Sequence, residues 1–265
     1  MNLLAQTQHR VTPLPSRPWI MHQTWHHVLF AHWPVALDAL RRVVPPALTI
    51  DTFDGQAWLG IIAFRLSGIR LRGTPEAPLV GRFTEINVRT YVTVAGKPGV
   101  LFLSLDADNP LAIALAKPWF RLAYLGARIR FGMEGETVRF TSRRTERAAP
   151  PAAFAATYGP AGPVCEPVPG TLEHWLTERY CYYAVHRDRA YCCDIHHPPW
   201  PLQPATATIS ENTMASAHGL ALREDGPRLH YARQMQAVIW SIERLPTAST
   251  PLKLPLLAGT DKVGR

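Results

Sequence analysis

Residues 85–94 place a row of hydrogen-bonding side chains on one side of a strict two-residue repeat. The polar members of this row are Glu85, Asn87, Arg89 and Tyr91. They alternate with β-branched residues, which is the pattern of a β-strand whose successive side chains point to opposite faces. If the polar face lines a cavity, its carboxylate, amide, guanidinium and phenol can bind a small molecule. If it meets bulk water, the row is the ordinary wet face of an antiparallel sheet.

Two of these residues are candidates for specific chemistry. Glu85 can act as a general acid or base if burial raises the pKa of its carboxyl. Arg89 lies four residues further along the same face and can form a bidentate pair with a ligand carboxylate. It can equally pair with Glu85, which would fix the register of the strand and leave no group free for a ligand. The sequence leaves both alternatives open.

A second cluster has metal-binding residue types. Cys192 and Cys193 precede Asp194, His196 and His197. Adjacent cysteines in a strand point to opposite faces, and the chain has no C-x-x-C pair of the kind found in structural zinc sites. We therefore predict buried free thiols, no metal and no cofactor. The histidine pair, which precedes a proline-rich turn, is predicted to anchor a loop.

Composition argues against two classes of partner. The net charge is +8, but only four residues are lysines and the arginines are scattered without a continuous basic stripe. We therefore predict no nucleic-acid partner. No run of about 18 apolar residues is present, so no membrane span is predicted. The first ten residues lack a basic region followed by an apolar one, which leads us to expect a cytoplasmic protein.

The strand at residues 88–94 is predicted to continue into a hairpin. Residues 95–99 form a tight connection, so residues 100–107 should return as its antiparallel partner. Asp108 or Asn109 then caps a helix that has Pro110 at its first position and is ended or kinked by Pro118. Asp106, which closes the strand before this helix, is also interpreted as a capping residue.

The other predicted elements are strands with a few short helices. Strands are expected at residues 25–33, 57–64, 127–131, 137–141, 180–185, 191–195, 205–209 and 229–245, the last as one long strand or a bent pair. Helical segments are expected at residues 34–44, with Pro34 at the first position, and at 171–179 and 211–218. The predicted fold class is therefore α+β with strands in the majority.

The domain organisation follows from the same survey. Residues 1–20 form a lead-in, residues 21–245 a single domain, and residues 246–265 a flexible tail. Residues 145–170 are rich in alanine and proline. A linker between two domains is one interpretation of this stretch. A long internal connection between two halves of one sheet is the other, and we favour it because strands and short helices flank it on both sides.

Several segments resemble the uncharacterised YqjF-like family (domain of unknown function 2071), which is grouped with the acetoacetate decarboxylase-like superfamily. The matching segments are residues 32–34, 51–55, 85–92, 104–107, 176–181, 195–202 and 230–233. They extend over nearly the whole chain. The resemblance implies one domain built around a curved, cone-like β-barrel, with helices outside and a cavity within.

The same resemblance implies roles for particular residues. Glu85 is similar to the cavity glutamate of the decarboxylases, and the polar face of its strand would line the barrel. Arg121 and Tyr124 would lie near the mouth of the cavity, where Tyr124 can donate a hydrogen bond to a carbonyl. In the late strand, His230 or Tyr231 could face the cavity, and strand parity does not decide which.

The decarboxylases form a Schiff base on a lysine, and this chain departs from them there. Tyr124 stands about where that lysine would lie, and a phenol cannot form an imine. Lys117, seven residues upstream, is the only lysine nearby. We therefore expect a protein that binds a small carbonyl- or carboxylate-bearing molecule, with any catalysis of the acid–base type. A non-catalytic module with a side-chain-filled barrel is the alternative, and assembly into a homo-oligomer is left open.

Overall fold

Thirteen strands joined in one hydrogen-bonded sheet make up about half of residues 3–246, the part of the chain that this computed structural model describes. The strands are β1 (Met21–Val35), β2 (Thr49–Ile50), β3 (Ala57–Leu71), β4 (Phe83–Val94), β5 (Lys97–Ala107), β6 (Tyr124–Glu134), β7 (Thr137–Arg144), β8 (Ala153–Pro160), β9 (Cys181–His186), β10 (Arg189–His196), β11 (Gln203–Asn212), β12 (Arg228–Ile239) and β13 (Glu243–Arg244). The α-helices are α1 (Leu37–Arg41), α2 (Pro110–Phe120) and α3 (Leu172–Thr177). Within the described residues, every helix is too short or too polar to span a bilayer.

The strand pairings close into two circuits that share five strands. One circuit runs β5-β6-β7-β8-β11-β12-β1-β3-β4 and returns to β5. The other runs β5-β9-β10-β12-β1-β3-β4 and also returns to β5. The shared strands β12, β1, β3, β4 and β5 therefore form a wall with a closed space on each side. This arrangement confirms the predicted strand-rich α+β fold with a curved sheet.

Residues 57–64 of β3 are buried on both faces of the shared wall, which explains why this part of the strand is apolar throughout. Ile61 and Ala63 pack into a large apolar core together with Ile86 and Val88 of β4. Ile62, on the opposite face of β3, packs in a second cluster with Phe30 and Trp200. A strand covered on both sides cannot show the alternation of a half-solvated strand.

A bulge in β1 sets which of its side chains reach the second space. The pairing of β1 with β3 shifts between His26 and Leu29, and His27 has a positive φ of 51°. An extra residue in one strand reverses the faces of the residues that follow it. As a result Trp25 before the bulge and Val28 and Phe30 after it lie on the same side of the wall.

A buried ion pair lies on the large-core side of the wall. Arg144 Nε donates to Asp106 Oδ2 at 2.7 Å and its Nη2 to Oδ1 at 2.9 Å, and both side chains are 1% exposed or less. Ser104 accepts a further bond from Arg144 Nη2. The interpretation of Asp106 as a helix cap is therefore wrong, because Asn109 caps α2 by accepting from the Ala112 N–H at 3.0 Å. Arg144 lies too far along the chain for a local motif to reveal this pairing.

The predicted hairpins are confirmed, and the main errors concern helices and one strand. Residues 34–44 contain only the short helix α1, because Pro34 lies in β1 and pairs with Trp58 near the strand end, where a missing N–H is tolerated. Residues 211–218 contain only a 3₁₀ turn, since β11 continues through Asn212. The 145–170 connection contains β8, which was not predicted because its many alanines give little contrast between its two faces. The tail predicted for residues 246–265 lies, apart from Pro246, outside the described residues.

We expect Arg144→Met to lower the free energy of unfolding by about 3–5 kcal/mol, because it leaves the Asp106 carboxylate buried and uncompensated. Arg143→Met is the matched control, since the neighbouring Arg143 side chain is 72% exposed and its pair with Glu211 should contribute at most about 1 kcal/mol. Urea denaturation of both variants checks the difference. Equal losses in the two variants would contradict a structural role for the buried pair.

Candidate functional site

The second space enclosed by the wall is a cavity of about 340 Å³. Its volume lies within the range of small-molecule sites, about 300–1,000 Å³. Much of the lining is aromatic and comes from Trp25, Phe30, Phe64, Phe83, Phe102, Phe120 and Trp200. Three further lining residues, Leu71, Leu115 and Trp119, are 45%, 55% and 59% exposed, so the apolar lining continues to the protein surface.

Glu85 is the buried carboxyl of this cavity. It projects from β4, is 3% exposed, and accepts a hydrogen bond from Asn87 Nδ2 at 3.1 Å on Oε1 and from the Tyr124 hydroxyl at 3.0 Å on Oε2. Burial raises the pKa of Glu85 to about 7, although both hydrogen bonds act in the opposite direction. Among the described residues no cation pairs with Glu85. The carboxyl is therefore close to half protonated near neutral pH.

Two neighbours fix the orientation of that carboxyl. Asn87 follows two residues later on the same face of β4, as the strand period requires. Its Oδ1 atom is buried and accepts no hydrogen bond within residues 3–246. Tyr124 begins β6, which runs parallel to β5 with Tyr124 opposite Leu105. Because burial and the Glu85 carboxyl hold the pKa of Tyr124 well above its usual value, its hydroxyl stays protonated and donates.

Arg89 lies in the cavity wall but does not pair with Glu85. Its Nη2 donates to the Leu176 carbonyl at 3.1 Å and is 3.5 Å from the Tyr91 hydroxyl. The alternative of a Glu85–Arg89 register pair is therefore absent. Gly60, opposite Arg89 in β3, leaves room for the arginine stem: a Cβ there would lie 3.3 Å from Arg89 Cγ and 3.0 Å from the His32 ring.

Tyr91, predicted to bind substrate, lies outside the cavity lining. It is fully buried, donates to the Leu176 carbonyl at 2.9 Å, and bonds with His32 Nε2 at 2.8 Å. Burial and the Arg89 guanidinium hold the pKa of His32 well below its usual value, so the ring is neutral. The Tyr91 phenol therefore links α3, through the Leu176 carbonyl, to His32 of β1.

Arg121, also predicted to bind substrate, points away from the cavity. It ends α2 in the left-handed conformation with φ of 52°, and its guanidinium stacks on the Tyr191 ring at 4.4 Å. Neither His230 nor Tyr231 lines the cavity. Tyr231 packs in the large core and bonds with His27 Nδ1 at 2.6 Å.

No lysine within residues 3–246 lines the cavity. Lys117 is exposed on α2, and Lys97 Nζ is paired with Asp194 at 2.5 Å. Tyr124 occupies the lining position that follows α2. The described chain therefore offers no amine that could form an imine inside this cavity.

Several lining residues were not predicted from the sequence. Arg179 lies in the lining, two residues after the end of α3, where a basic side chain suits the end of a helix. Its Nε donates to the Trp175 carbonyl of α3 at 2.7 Å, and its Nη1 pairs with Asp51 at 2.6 Å. Trp25 and Trp200 also line the cavity, and their rings stack with centroids 5.6 Å apart. Their aromatic character was the only signal in the sequence.

The histidine pair ties the N-terminal lead-in to the sheet. His196 Nε2 bonds with the Leu3 carbonyl at 2.9 Å, and His9 Nε2 bonds with the His197 carbonyl at 2.9 Å. Burial lowers the pKa of both His196 and His197 to about 4, so both are neutral at physiological pH. In the part of the chain described, no group of three or more potential ligands could hold a metal ion.

Three of the four cysteines are buried free thiols, in accord with the sequence, and Cys165 is exposed. Cys181 lines the cavity. Contact with Cys192 lowers the pKa of Cys181, against the opposing effect of burial. Gly99 lies against this thiol, since a Cβ there would come within 2.7 Å of Cys181 Sγ.

Comparison with known proteins identifies the family. A family model described as an uncharacterised conserved protein, domain of unknown function 2071, matches residues 22–236. The chain belongs to this family. The uncharacterised protein YqjF of Bacillus subtilis (strain 168) is 43% identical over 237 residues, which cover 89% of this chain and 97% of YqjF.

Solved structures with the same fold include decarboxylases. Acetoacetate decarboxylase from Legionella pneumophila is 12% identical, with a TM-score of 0.59 and coverage of 92% of this chain and 95% of that one. The enduracididine biosynthesis enzyme MppR complexed with pyruvate is 14% identical, also with a TM-score of 0.59, and the alignment covers 88% of this chain and 93% of that one. At these identities the likeness establishes the acetoacetate decarboxylase-like fold.

The raised pKa of Glu85 predicts a specific pH dependence of stability. The folded state holds this proton with a pKa of about 7, against an ordinary value of 4.5. Between these values the folded protein binds more protons than the unfolded chain, so this residue makes the free energy of unfolding fall as pH rises. We expect Glu85→Gln to remove up to about 3 kcal/mol of that fall.

Urea denaturation between pH 4.5 and 8 measures this effect in the two proteins. The buried histidines contribute with the opposite sign, because their lowered pKa makes stability rise with pH. The difference between wild type and Glu85→Gln isolates the carboxyl. Glu134→Gln, on a side chain that is 73% exposed, is the matched control. Parallel pH profiles for wild type and Glu85→Gln would contradict the raised pKa.

Proposed function

We propose that this protein binds a small carbonyl- or carboxylate-bearing molecule in the cavity and acts on it by acid–base chemistry at Glu85. The observation that carries this proposal is the Glu85 carboxyl, enclosed among aromatic side chains with a pKa near 7. A group with a pKa close to the working pH is best suited to give and take protons. Structural carboxylates also have perturbed pKa values, but they are normally held by a cation, which Glu85 lacks within the described chain.

In this proposal Glu85 transfers the protons, and two neighbouring residues hold its carboxyl in place. Protonated Glu85 donates to a ligand carbonyl, and ionised Glu85 removes a proton from the carbon beside that carbonyl. Asn87 and Tyr124 each hold one carboxyl oxygen, which keeps the carboxyl directed during both steps. Exclusion of water by the aromatic lining strengthens these interactions.

The names of the structural relatives support the same ligand class. Acetoacetate decarboxylase is named for an oxo acid, and MppR was solved with pyruvate, another oxo acid. No lysine within residues 3–246 lines the cavity, which argues against Schiff-base decarboxylation on Lys117. The alternative of a side-chain-filled barrel predicts no pocket beyond about 300 Å³, the low end for ligand sites, and the 340 Å³ cavity argues against it.

Hydrogen–deuterium exchange tests the proposal without knowledge of the natural substrate. We expect the wild type to catalyse exchange at the carbon beside the carbonyl in at least one of 2-butanone, pyruvate, 3-oxobutanoate and 4-oxopentanoate, measured by proton NMR in D₂O. Glu85→Gln should lower the rate by about 100-fold or more, because general acid–base groups contribute about 10²–10⁴-fold.

Lys117→Ala is the control and should retain the wild-type rate, since Lys117 is exposed outside the cavity. Borohydride treatment with the same compounds, followed by intact-mass measurement, should give no adduct. Exchange that survives Glu85→Gln, exchange absent for every compound, or an adduct trapped on a lysine would each overturn the acid–base proposal.

A further inference from the structure

Two arginines meet at the end of the cavity remote from Glu85. The Arg89 and Arg179 guanidinium carbons lie 5.7 and 5.0 Å from the centroid of the Tyr91 ring. Both residues line the cavity. Their elements, β4 and the segment after α3, are joined where Arg89 and Tyr91 both donate to the Leu176 carbonyl.

Each guanidinium carries a buried N–H group without an acceptor. Arg89 Nε and Arg179 Nη2 are buried and make no hydrogen bond within residues 3–246. The Arg179 residue as a whole is only 7% exposed. A buried unmet donor is unfavourable, and a charged one more so, which indicates that an acceptor belongs here.

The charges at this end of the cavity do not balance. Asp51 pairs with Arg179 Nη1 at 2.6 Å, whereas no carboxylate within residues 3–246 forms an ion pair with Arg89. His32 behind them is neutral. Two guanidinium groups and one carboxylate leave a net charge of +1, which one singly charged anion would neutralise. A carboxylate fits this charge better than a dianionic phosphate does.

The arginine end of the cavity is well separated from the Glu85 carboxyl. Glu85 and Arg89 are four residues apart on one strand, so their Cα atoms lie about 13 Å apart. The Arg89 guanidinium is directed onward to Tyr91 and away from Glu85. Phe30 and Phe64 line the cavity from the neighbouring strands.

From these observations we propose that Arg89 and Arg179 form a carboxylate subsite, and that the ligand is an oxo acid whose carboxylate and carbonyl are separated by an extended apolar chain. The carboxylate accepts from the two unmet guanidinium donors, the apolar chain lies against the aromatic lining, and the carbonyl reaches Glu85. This inference rests on the proposed function for the carbonyl end alone. In 3-oxobutanoate a single methylene separates the two groups, so that compound cannot occupy both ends.

Binding of a chain-length series tests the subsite. The probes are 4-oxopentanoate, 7-oxooctanoate and 10-oxoundecanoate, each compared with its primary amide by isothermal titration calorimetry on the full chain. We expect the longer acids to bind about 10- to 100-fold more tightly than their amides, because a charge-assisted hydrogen bond replaces a neutral one. The shortest acid should bind more weakly than the longer acids, because its carbonyl cannot reach Glu85 while its carboxylate occupies the subsite.

Variants show which residue causes the preference for acids over amides. Arg89→Gln should abolish the advantage of acid over amide, and Arg89→Lys, which keeps the charge but lacks Nε, should retain only part of it. Arg139→Gln is the control and should keep the full advantage, since its side chain is 70% exposed on β7. Thermal unfolding of each variant confirms folding, and the comparison of acid with amide in the wild type holds even if Arg89→Gln does not fold.

Three results would overturn the subsite: equal binding of acids and amides by the wild type, an advantage that survives Arg89→Gln, or no binding by any member of the series. The experiments distinguish failure of the carboxylate subsite from failure of the acid–base function. Deuterium exchange that depends on Glu85, without any preference for acids, removes the subsite and leaves the acid–base function. A preference for acids that depends on Arg89, without exchange, removes the acid–base function and leaves a carboxylate-binding protein.

Discussion

The burial of the Glu85 carboxyl in the wall shared by two closed circuits of strands is the constraint on which the rest of the site depends. A sheet with one wet face would leave this group in water with an ordinary pKa. Here the sheet closes on both sides, so the polar row of β4 faces an enclosed space. The carboxyl has an amide and a phenol as partners and no cation among the described residues, and burial therefore dominates its pKa.

The wall also explains how one chain supports both a core and a cavity. On one side, apolar side chains form the large core, and the buried Arg144–Asp106 pair lies among the buried residues there. On the other side, the bulge at His27 places Trp25 and Phe30 on the same face, where both line the cavity. The buried ion pair and the candidate site thus lie on opposite faces of the same strands.

Local patterns predicted the strand of Glu85, its hairpin partner and a helix cap at Asp108 or Asn109, because strand period, turn residues and capping are set by neighbours in sequence. They did not predict that Arg89 would turn from Glu85 to the Leu176 carbonyl, or that Arg179 would join it, since both contacts depend on the docking of α3. Tyr91 and Arg121 were wrongly expected at the cavity. Tyr91 keeps the two-residue period of β4, but α3 covers this end of the strand and takes its hydrogen bond. Arg121 is directed outward because it ends α2 in the left-handed conformation.

Titration of the Glu85 carboxyl carbon by ¹³C NMR, in protein labelled at glutamate and assigned by comparison with Glu85→Gln, tests the central claim most directly. A carboxyl enclosed beside Tyr124 and Asn87 should titrate with a midpoint near pH 7, well separated from the surface glutamates. A midpoint near the ordinary value of 4.5 would show that the polar face of β4 is in contact with water, and would contradict both the enclosed cavity and the chemistry proposed for it.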